Sequence, residues 1–196
     1  MMERKSILSM LVTTDAIVLS LQPHSDKAHI LHAYTRAGGR VNYMVYGLGK
    51  KNTAGKYSPL SVLQITTDDK SIRTAQLSYV PATITTDPYK RTIALFLSEV
   101  LFHVLRHPMV DEPMWEFIAQ AVEELDRTAE PQNFHLQFLT GFAAKLGFAM
   151  PATDNPLPVS RSERQKALRT LCDYFEEHVE TWQTPKSLDV LMEVFD

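Results

Sequence analysis

The apolar pattern of this 196-residue chain changes its period near residue 82, and this change constrains the fold more than any other feature. Before it, short β-rich segments alternate with glycine-containing or polar turns. After it, longer segments carry apolar residues at helical spacing. A chain of this length can bury the core of one or two small domains. We therefore predict an α+β fold, with one domain over residues 1–82 and a helical domain over residues 83–196.

The first part of the chain contains five segments with the composition of β-strands. They lie at residues 14–21, 29–35, 40–46, 61–67 and 71–80. Gly38 and Gly39 separate the second segment from the third, because paired glycines accept the positive φ of a tight turn. Alternation puts Arg40 and Tyr46 on the face opposite Tyr43. Five short strands in about 70 residues favour a small closed barrel, and an OB-fold is the leading candidate.

Helix signals begin at Asp87 and Pro88, which fit an N-cap followed by proline at the first helical position. This first helix is expected to stop before Pro108. Four further helices are predicted, at residues 112–127, 131–146, 160–182 and 187–195. Gly147 is a plausible C-cap for the third helix. Three prolines between residues 151 and 159 indicate a loop or linker there.

Charge divides the chain in the same way as the apolar pattern. Residues 1–90 carry a net charge of +5, and residues 91–196 a net charge of −8. A basic barrel can meet a polyanion, and single-strand binders combine a cationic groove with aromatic side chains that stack on bases. The glycine- and lysine-rich loop after the third strand is the best candidate site. The predicted nucleic-acid contacts are Arg36, Arg40, Tyr46, Lys50, Lys51, Lys56 and Arg73.

Signals for other kinds of site are weak. No phosphate-binding loop or hydrolase motif is found, so we predict no catalytic residues and no cofactor. The single cysteine, Cys172, excludes an internal disulfide and a multi-cysteine metal site, and no apolar run is long enough for a transmembrane helix. Glu99, His103 and His107 are four residues apart and could bind a metal on one helix face, which leaves a metal-dependent enzyme as an alternative. Core packing and a helix end explain the two histidines more simply, and we expect no bound metal.

The order and spacing of several segments resembles the RecO family of recombination mediators. These segments are Thr14–Leu19, Ser25–Leu31, Thr35–Val41, Val45–Lys51, Tyr57–Leu60 and Lys145–Pro151. The last of them looks like the family's Leu-Gly-aromatic-x-Pro stretch. The resemblance implies an N-terminal OB-fold, a C-terminal helical domain and no enzymatic activity.

The resemblance also implies partners and a location. It predicts a cytoplasmic protein that binds single- and double-stranded DNA, anneals complementary strands, and acts with RecR and the single-strand-binding protein to load a recombinase. The basic barrel would contact DNA. The helical half would dock partners, including the acidic C-terminal tail of single-strand-binding protein, with Arg91, Arg106, Arg127 and Lys145 as candidate cations. A generic OB-fold protein that binds RNA is the alternative that the same barrel permits.

Two departures from the family pattern are visible. Many members carry a four-cysteine zinc site after the Leu-Gly-aromatic-x-Pro stretch, whereas this chain has only Cys172, so we predict no stoichiometric zinc. The chain is also short between Pro151 and Arg161, where relatives have a longer insertion. Either the segment is deleted or the sequence omits it.

Overall fold

The computed structural model describes residues 11–48, 55–68, 70–150 and 157–194. The described strands are β1 (Leu11–Ser25), β2 (Ala28–Thr35), β3 (Gly39–Tyr46), β4 (Val62–Asp68) and β5 (Ser71–Leu77). The described α-helices are α1 (Pro88–Val104), α2 (Glu112–Arg127), α3 (Phe134–Lys145), α4 (Arg161–His178) and α5 (Leu188–Val194). Short 3-10 helices lie at Gly55–Tyr57 and Pro131–Asn133.

The five strands form a closed barrel in the order β1-β2-β3-β5-β4. All neighbouring strands are antiparallel except β3 and β5, which are parallel and meet at Met44 and Ser71. The amide of Met44 also donates to the carbonyl of Lys70 at 2.7 Å, so the barrel closes over a short contact. A closed barrel of five strands followed by helices confirms the predicted α+β fold with an N-terminal OB-fold.

Strand β1 is longer than the predicted segment because it serves both sides of the barrel. Residues 11–17 pair with β4, and residues 16–25 pair with β2, with a register shift after Val18. Pro23 lies where β1 pairs with β2 alone. A proline lacks an N–H donor, and a strand position with only one paired neighbour tolerates that loss.

Local capping explains where the helices begin. The Asp87 carboxylate accepts from the amides of Tyr89 and Lys90, and Asp111 and Ser160 cap α2 and α4 in the same way. The predicted bounds of α2 are confirmed, whereas α4 ends at His178, four residues before the predicted end. In the described part of the chain, no helix is both long and apolar enough to cross a lipid bilayer.

Two apolar clusters fill the structure. One lies inside the barrel and includes Leu31, Tyr43 and Ile65. The other is larger and joins the outside of the barrel to the helices, where Tyr34 stacks on Trp115 with ring centroids 6.3 Å apart. The helices therefore cover one outer side of the barrel, and both parts of the chain share this core. The predicted boundary between residues 82 and 83 falls in the connection between β5 and α1 and stays a prediction.

Candidate nucleic-acid interface

The outward side of strands β2 and β3 is exposed to solvent at one end and covered by the helices at the other. Opposed residues of an antiparallel pair share a face, and the register aligns Ala28 with Tyr46, His32 with Asn42 and Tyr34 with Arg40. At one end the Tyr46 side chain is 61% exposed. At the other end the residues lie under the helical half. We call the strip that carries Tyr46, Met44, Asn42, His32 and Arg40 the outer face.

Two predicted contact residues hold the β2–β3 hairpin onto the helical half. Arg36 forms ion pairs with Glu112 and with Glu116, the latter at 2.8 Å. Arg40 donates to the carbonyl of Phe102 at 3.1 Å, and its guanidinium lies 4.3 Å from the centre of the Phe102 ring. Burial and the nearby Arg106 lower the pKa of Arg40 to about 10. Both arginines thus have structural partners that the sequence did not indicate.

The other predicted contacts of the barrel occupy different environments. The Lys56 ammonium donates to the carbonyl of Ala75 at 2.7 Å and lies over the ring of Tyr57, so it is fixed against β5. Arg73 is paired with Asp68 through two guanidinium nitrogens, one at 2.6 Å. Lys50 and Lys51 lie outside the described residues.

The four candidate cations of the helical half are scattered over its surface. Arg127 pairs with Glu123 at 2.8 Å, and Lys145 is exposed at the end of α3. Arg106 donates to the carbonyl of His103 at 3.0 Å, beyond the end of α1. Arg91 borders a cavity of about 200 Å³ between the barrel and helices α1 and α2.

This cavity combines a concave wall with a candidate cation at its edge. Its wall consists mainly of apolar and small polar side chains, among them Leu60, Val62, Ile84, Ala94, Val122 and Tyr79. Among the described residues that line it there is no carboxylate, so Arg91 supplies the formal charge at its edge. Such a wall fits an apolar group that carries a negative charge.

The arrangement expected for the metal-dependent alternative is wrong. Helix α1 ends at Val104, so His107 does not share a helix face with Glu99 and His103. One Glu99 oxygen instead accepts from the amide and the hydroxyl of Ser187, at 3.0 and 2.8 Å. Among the described residues, no group of three acidic, histidine or cysteine side chains is placed to hold a metal ion.

Cys172 is not placed for chemistry either. It is buried in α4, and burial raises the pKa of its thiol to about 12. A thiol that stays protonated is a poor nucleophile, so Cys172 acts as a packing residue.

A buried polar network that was not predicted from the sequence joins the barrel to α2. The buried Asp126 carboxylate accepts from the amides of Ala82, Thr83 and Ile84, at 2.7–2.9 Å, and from the Tyr79 hydroxyl at 2.8 Å. These hydrogen bonds hold the pKa of Asp126 well below its usual range although burial opposes them.

Lys90 completes this network from helix α1. Its ammonium is buried and donates to the Asp126 carbonyl at 2.8 Å and to the Thr83 hydroxyl at 2.7 Å. The sequence carries one signal of this network: Asp126 is a carboxylate on the apolar face of α2, near Val122 and Leu125. Its partners, which are mostly backbone amides, leave no trace in a sequence.

Comparison with known proteins supports the resemblance noted in the sequence. The family model described as "Recombination protein O N terminal" matches residues 10–87, which contain the barrel and the connection to α1. Proteins named "DNA repair protein RecO" from Porphyromonas gingivalis and Flavobacterium johnsoniae are 28% identical over 245 and 236 aligned positions. One from Bacteroides fragilis is 26% identical over 243 positions. Each alignment covers 95% of this chain and 100% of the relative.

The alignments also bear on the length of the chain. The first spans 245 positions and this chain has 196 residues, so at least 49 aligned positions are absent here. Longer relatives agree with the departure predicted from the sequence. The predicted place of the difference, between Pro151 and Arg161, stays a prediction, since residues 151–156 lie outside the described part.

Proposed function

The chain belongs to the RecO family, and from this premise we propose that it acts in DNA repair and recombination by binding DNA through its barrel. The binding surface in this proposal consists of the solvent end of the outer face and the loop that carries Lys50, Lys51 and Lys56. The observation that supports it most directly is the exposure of Tyr46 beside this loop, at the end of β3.

The chemistry of the outer face suits a flexible strand. An exposed tyrosine can stack on a base of any kind, which contributes about 1–3 kcal/mol per base. Asn42 offers hydrogen-bonding groups on the same face and is exposed. Gly47, with a φ of 70°, turns the chain directly after Tyr46 into the lysine-rich loop. Along the sequence, the proposed phosphate contacts therefore follow the proposed stacking residue directly.

We further propose the activities and partners that go with the family. In this proposal the protein binds single- and double-stranded DNA, anneals complementary strands, and helps to load a recombinase together with a RecR-type partner. The barrel would hold DNA while the helical half docks the acidic C-terminal tail of single-strand-binding protein.

The cavity beside Arg91 supports one position for this tail. A tail with an apolar end and a free carboxylate needs an apolar pocket and a cation. Arg91 borders such a pocket, whereas Arg127 is already paired with Glu123. In a low-salt titration with the tail peptide, Arg91→Gln is expected to weaken binding at least tenfold, and the matched control Arg127→Gln to leave it unchanged. Equal affinities of all three proteins would remove the cavity from the proposal.

The lysine loop tests the DNA interface itself. Phosphate contacts release counterions, so replacing Lys50, Lys51 and Lys56 together with alanine should flatten the log–log salt dependence of binding by about 2–3 units. A control with alanine at Lys145, Lys166 and Arg169, which are exposed on helices, loses the same charge elsewhere. The measurement is a titration of labelled oligonucleotide at several salt concentrations.

Two outcomes of this titration would contradict the proposal, and a competition experiment tests the alternative. A folded triple variant with unchanged affinity and salt slope would show that these three lysines do not contact DNA. An equal effect of the control variant would show that net charge, not the loop, determines binding. Competition with a structured RNA separates the OB-fold alternative, since an RNA-binding protein would release the DNA.

A further inference from the structure

Arginines of the described residues differ in the charge of their partners, and away from the barrel Arg161 and Arg164 donate to the carbonyls of Met192 and Val159. Arg36, Arg73 and Arg127 each pair with a carboxylate. Arg40 and Arg106 instead donate to the carbonyl oxygens of Phe102 and His103 at the end of α1. A carbonyl satisfies a donor but leaves the formal positive charge uncompensated. These two arginines therefore keep their attraction for an anion.

The segment after α4 brings a further positive group, Lys186, to this place. Thr181 donates to the His103 carbonyl at 2.9 Å, and the nitrogen Nη2 of Arg106 approaches the Thr181 carbonyl at 3.5 Å, which docks the segment after α4 onto the end of α1. Ser187 then bonds to Glu99, one helical turn before His103. Lys186 is held next to Ser187 and is exposed. We call Arg40, Arg106 and Lys186 the basic junction.

Two histidines lie within the basic junction and are packed on one ring. The rings of His32 and His103 both stand edge-on to Phe102, with centroids 5.1 and 5.2 Å away. Burial and the neighbouring cations lower the pKa of both: Arg40 acts on His32, and Arg106, Arg40 and Lys186 act on His103. Two interactions oppose this: the hydrogen bond that His32 Nδ1 donates to Oδ1 of Asn42 at 2.7 Å raises the pKa of His32, and the charge of Glu99 raises that of His103.

The junction continues the proposed DNA surface. His32 is opposite Asn42 on the outer face, and Arg40 ends that face where the helices begin. The nitrogen Nε of Arg40 and Nδ1 of His103 are buried and, within the described residues, have no hydrogen-bond partner. Among the described residues, the Nε–H of Arg40 is thus a buried donor without an acceptor. A strand stacked on Tyr46 and extended along this face would bring its next phosphates to the junction.

We propose that the basic junction is a second phosphate-binding subsite, which carries bound DNA from the barrel onto the helical half. This inference rests on the proposed function and adds to it two residues outside the barrel, Arg106 and Lys186. A phosphate at the junction favours the charged form of both histidines. Binding should therefore become tighter as the pH falls through the pKa values of these imidazoles, which lie below the ordinary value, and the gain should exceed what the loop alone provides.

The test is a titration of labelled single-stranded oligonucleotide by the full chain. Arg106→Gln with Lys186→Gln is expected to reduce the log–log salt slope by about 1.4, since each phosphate contact on a single strand contributes about 0.7. Lys166→Gln is the matched control, because Lys166 is exposed on α4 and far from the basic junction. At 1.5 Å per residue, it lies about 18 Å along the helix from His178, where α4 ends and the segment that leads to the junction begins. Its slope should equal that of the wild type.

Further variants separate contact from folding. Arg106 supports the local structure, so Lys186→Gln alone, which changes an exposed side chain, should still reduce the slope by about 0.7. Arg106→Lys keeps the charge and should restore most of the affinity that Arg106→Gln loses. His103→Gln should flatten the gain in affinity between pH 7.5 and 5.5. Unchanged slopes in both the double variant and Lys186→Gln would overturn the second subsite.

The same experiment distinguishes the two proposals. If the lysine-loop variant loses affinity while the junction variants do not, DNA binding stands and the second subsite falls. If the wild type does not bind the oligonucleotide at all, the proposed function falls and the subsite with it.

Discussion

Asp126 connects the barrel to helix α2 through a single carboxylate. Replacing it with asparagine puts an amide NH₂ donor beside the backbone donors of residues 82–84 and removes the charge that they stabilise. We expect Asp126→Asn to lower the free energy of unfolding by about 2–4 kcal/mol, because buried donors lose a charged acceptor. Urea denaturation at pH 7 measures this loss.

The same residue predicts how stability depends on acid. The pKa of Asp126 is lower in the folded chain than in the unfolded chain, so its stabilising effect is present above about pH 4 and is lost as the pH falls further. The Asp126→Asn variant should therefore lose less stability than the wild type between pH 4 and 2. Parallel curves for the two proteins would contradict the hydrogen-bond network as the cause.

His135 acts in a separate pH range. It is 2% exposed, and burial, with Arg164 nearby, lowers the pKa of its imidazole to about 4. The unfolded chain binds this proton near pH 6.5, so the free energy of unfolding should fall as the pH is lowered from 6.5 to 4. His135→Gln should remove roughly 3 kcal/mol of that dependence. Denaturation curves at pH 8, 6 and 4.5 would show it, and an unchanged slope would exclude His135 as the source.

At the scale of the elements, the tip of the β2–β3 hairpin rests directly on the segment after α1. Gly39 has a φ of 63°, and a Cβ added there would lie 2.7 Å from the backbone nitrogen of Met109 and closer still to its carbonyl oxygen. Gly47 has a similar φ of 70°, but no atom of the described residues lies within 4 Å of the added atom. Alanine at Gly47 therefore measures backbone strain alone, whereas alanine at Gly39 measures backbone strain together with a steric clash.

We expect Gly47→Ala to cost only the conformational penalty of a left-handed residue, about 1–2 kcal/mol. Gly39→Ala adds the clash with Met109 and should cost at least 2 kcal/mol more, because backbone atoms must move. Thermal unfolding of the two variants measures the difference. Equal midpoints would mean that the hairpin tip is not held against residues 107–110.

How far the sequence predicts these elements depends on the range of the interactions. Strand alternation correctly put Tyr43 and Tyr46 on opposite faces of β3, and the structure buries Tyr43 and exposes Tyr46. Capping residues such as Asp87 set the start of helix α1 because their partners lie two or three residues away. Alternation does not say what covers an outward residue. The sequence therefore could not show that Arg36 and Arg40 face the helices.

The candidate site shows the same limit. The loop lysines and Tyr46 could be proposed from composition and spacing, because their expected roles need only exposure. The junction of Arg40, Arg106 and Lys186 joins residues that are up to 146 positions apart in the sequence. Only the packing of the segment after α4 onto the end of α1 brings them together.

On the scale of the whole molecule, the barrel and the helices are joined by apolar packing as well as by polar contacts. The barrel residues Ile17, Leu19 and Tyr34 belong to the same buried apolar cluster as residues of the helices. Removing either part would expose this surface to water, at about 25 cal/mol per Å² of apolar area. The secondary structure changes from strands to helices near residue 82, but the apolar core is continuous across this boundary.

We accordingly expect the whole chain to unfold in one cooperative transition. The two tryptophans report on different places, because Trp115 stacks on Tyr34 of the barrel while Trp182 packs on Phe175 in the helical half. Trp182→Phe leaves Trp115 as the reporter of the shared core, and Trp115→Phe leaves Trp182 as the reporter of the helices. In each variant the urea midpoint from tryptophan fluorescence should equal that from far-ultraviolet circular dichroism, because a shared core couples the two parts. The contrary result would come from the Trp115→Phe variant, if its Trp182 fluorescence stayed native after half of the circular dichroism change was complete. The helices would then be stable without the barrel, and the shared core would not couple the two parts.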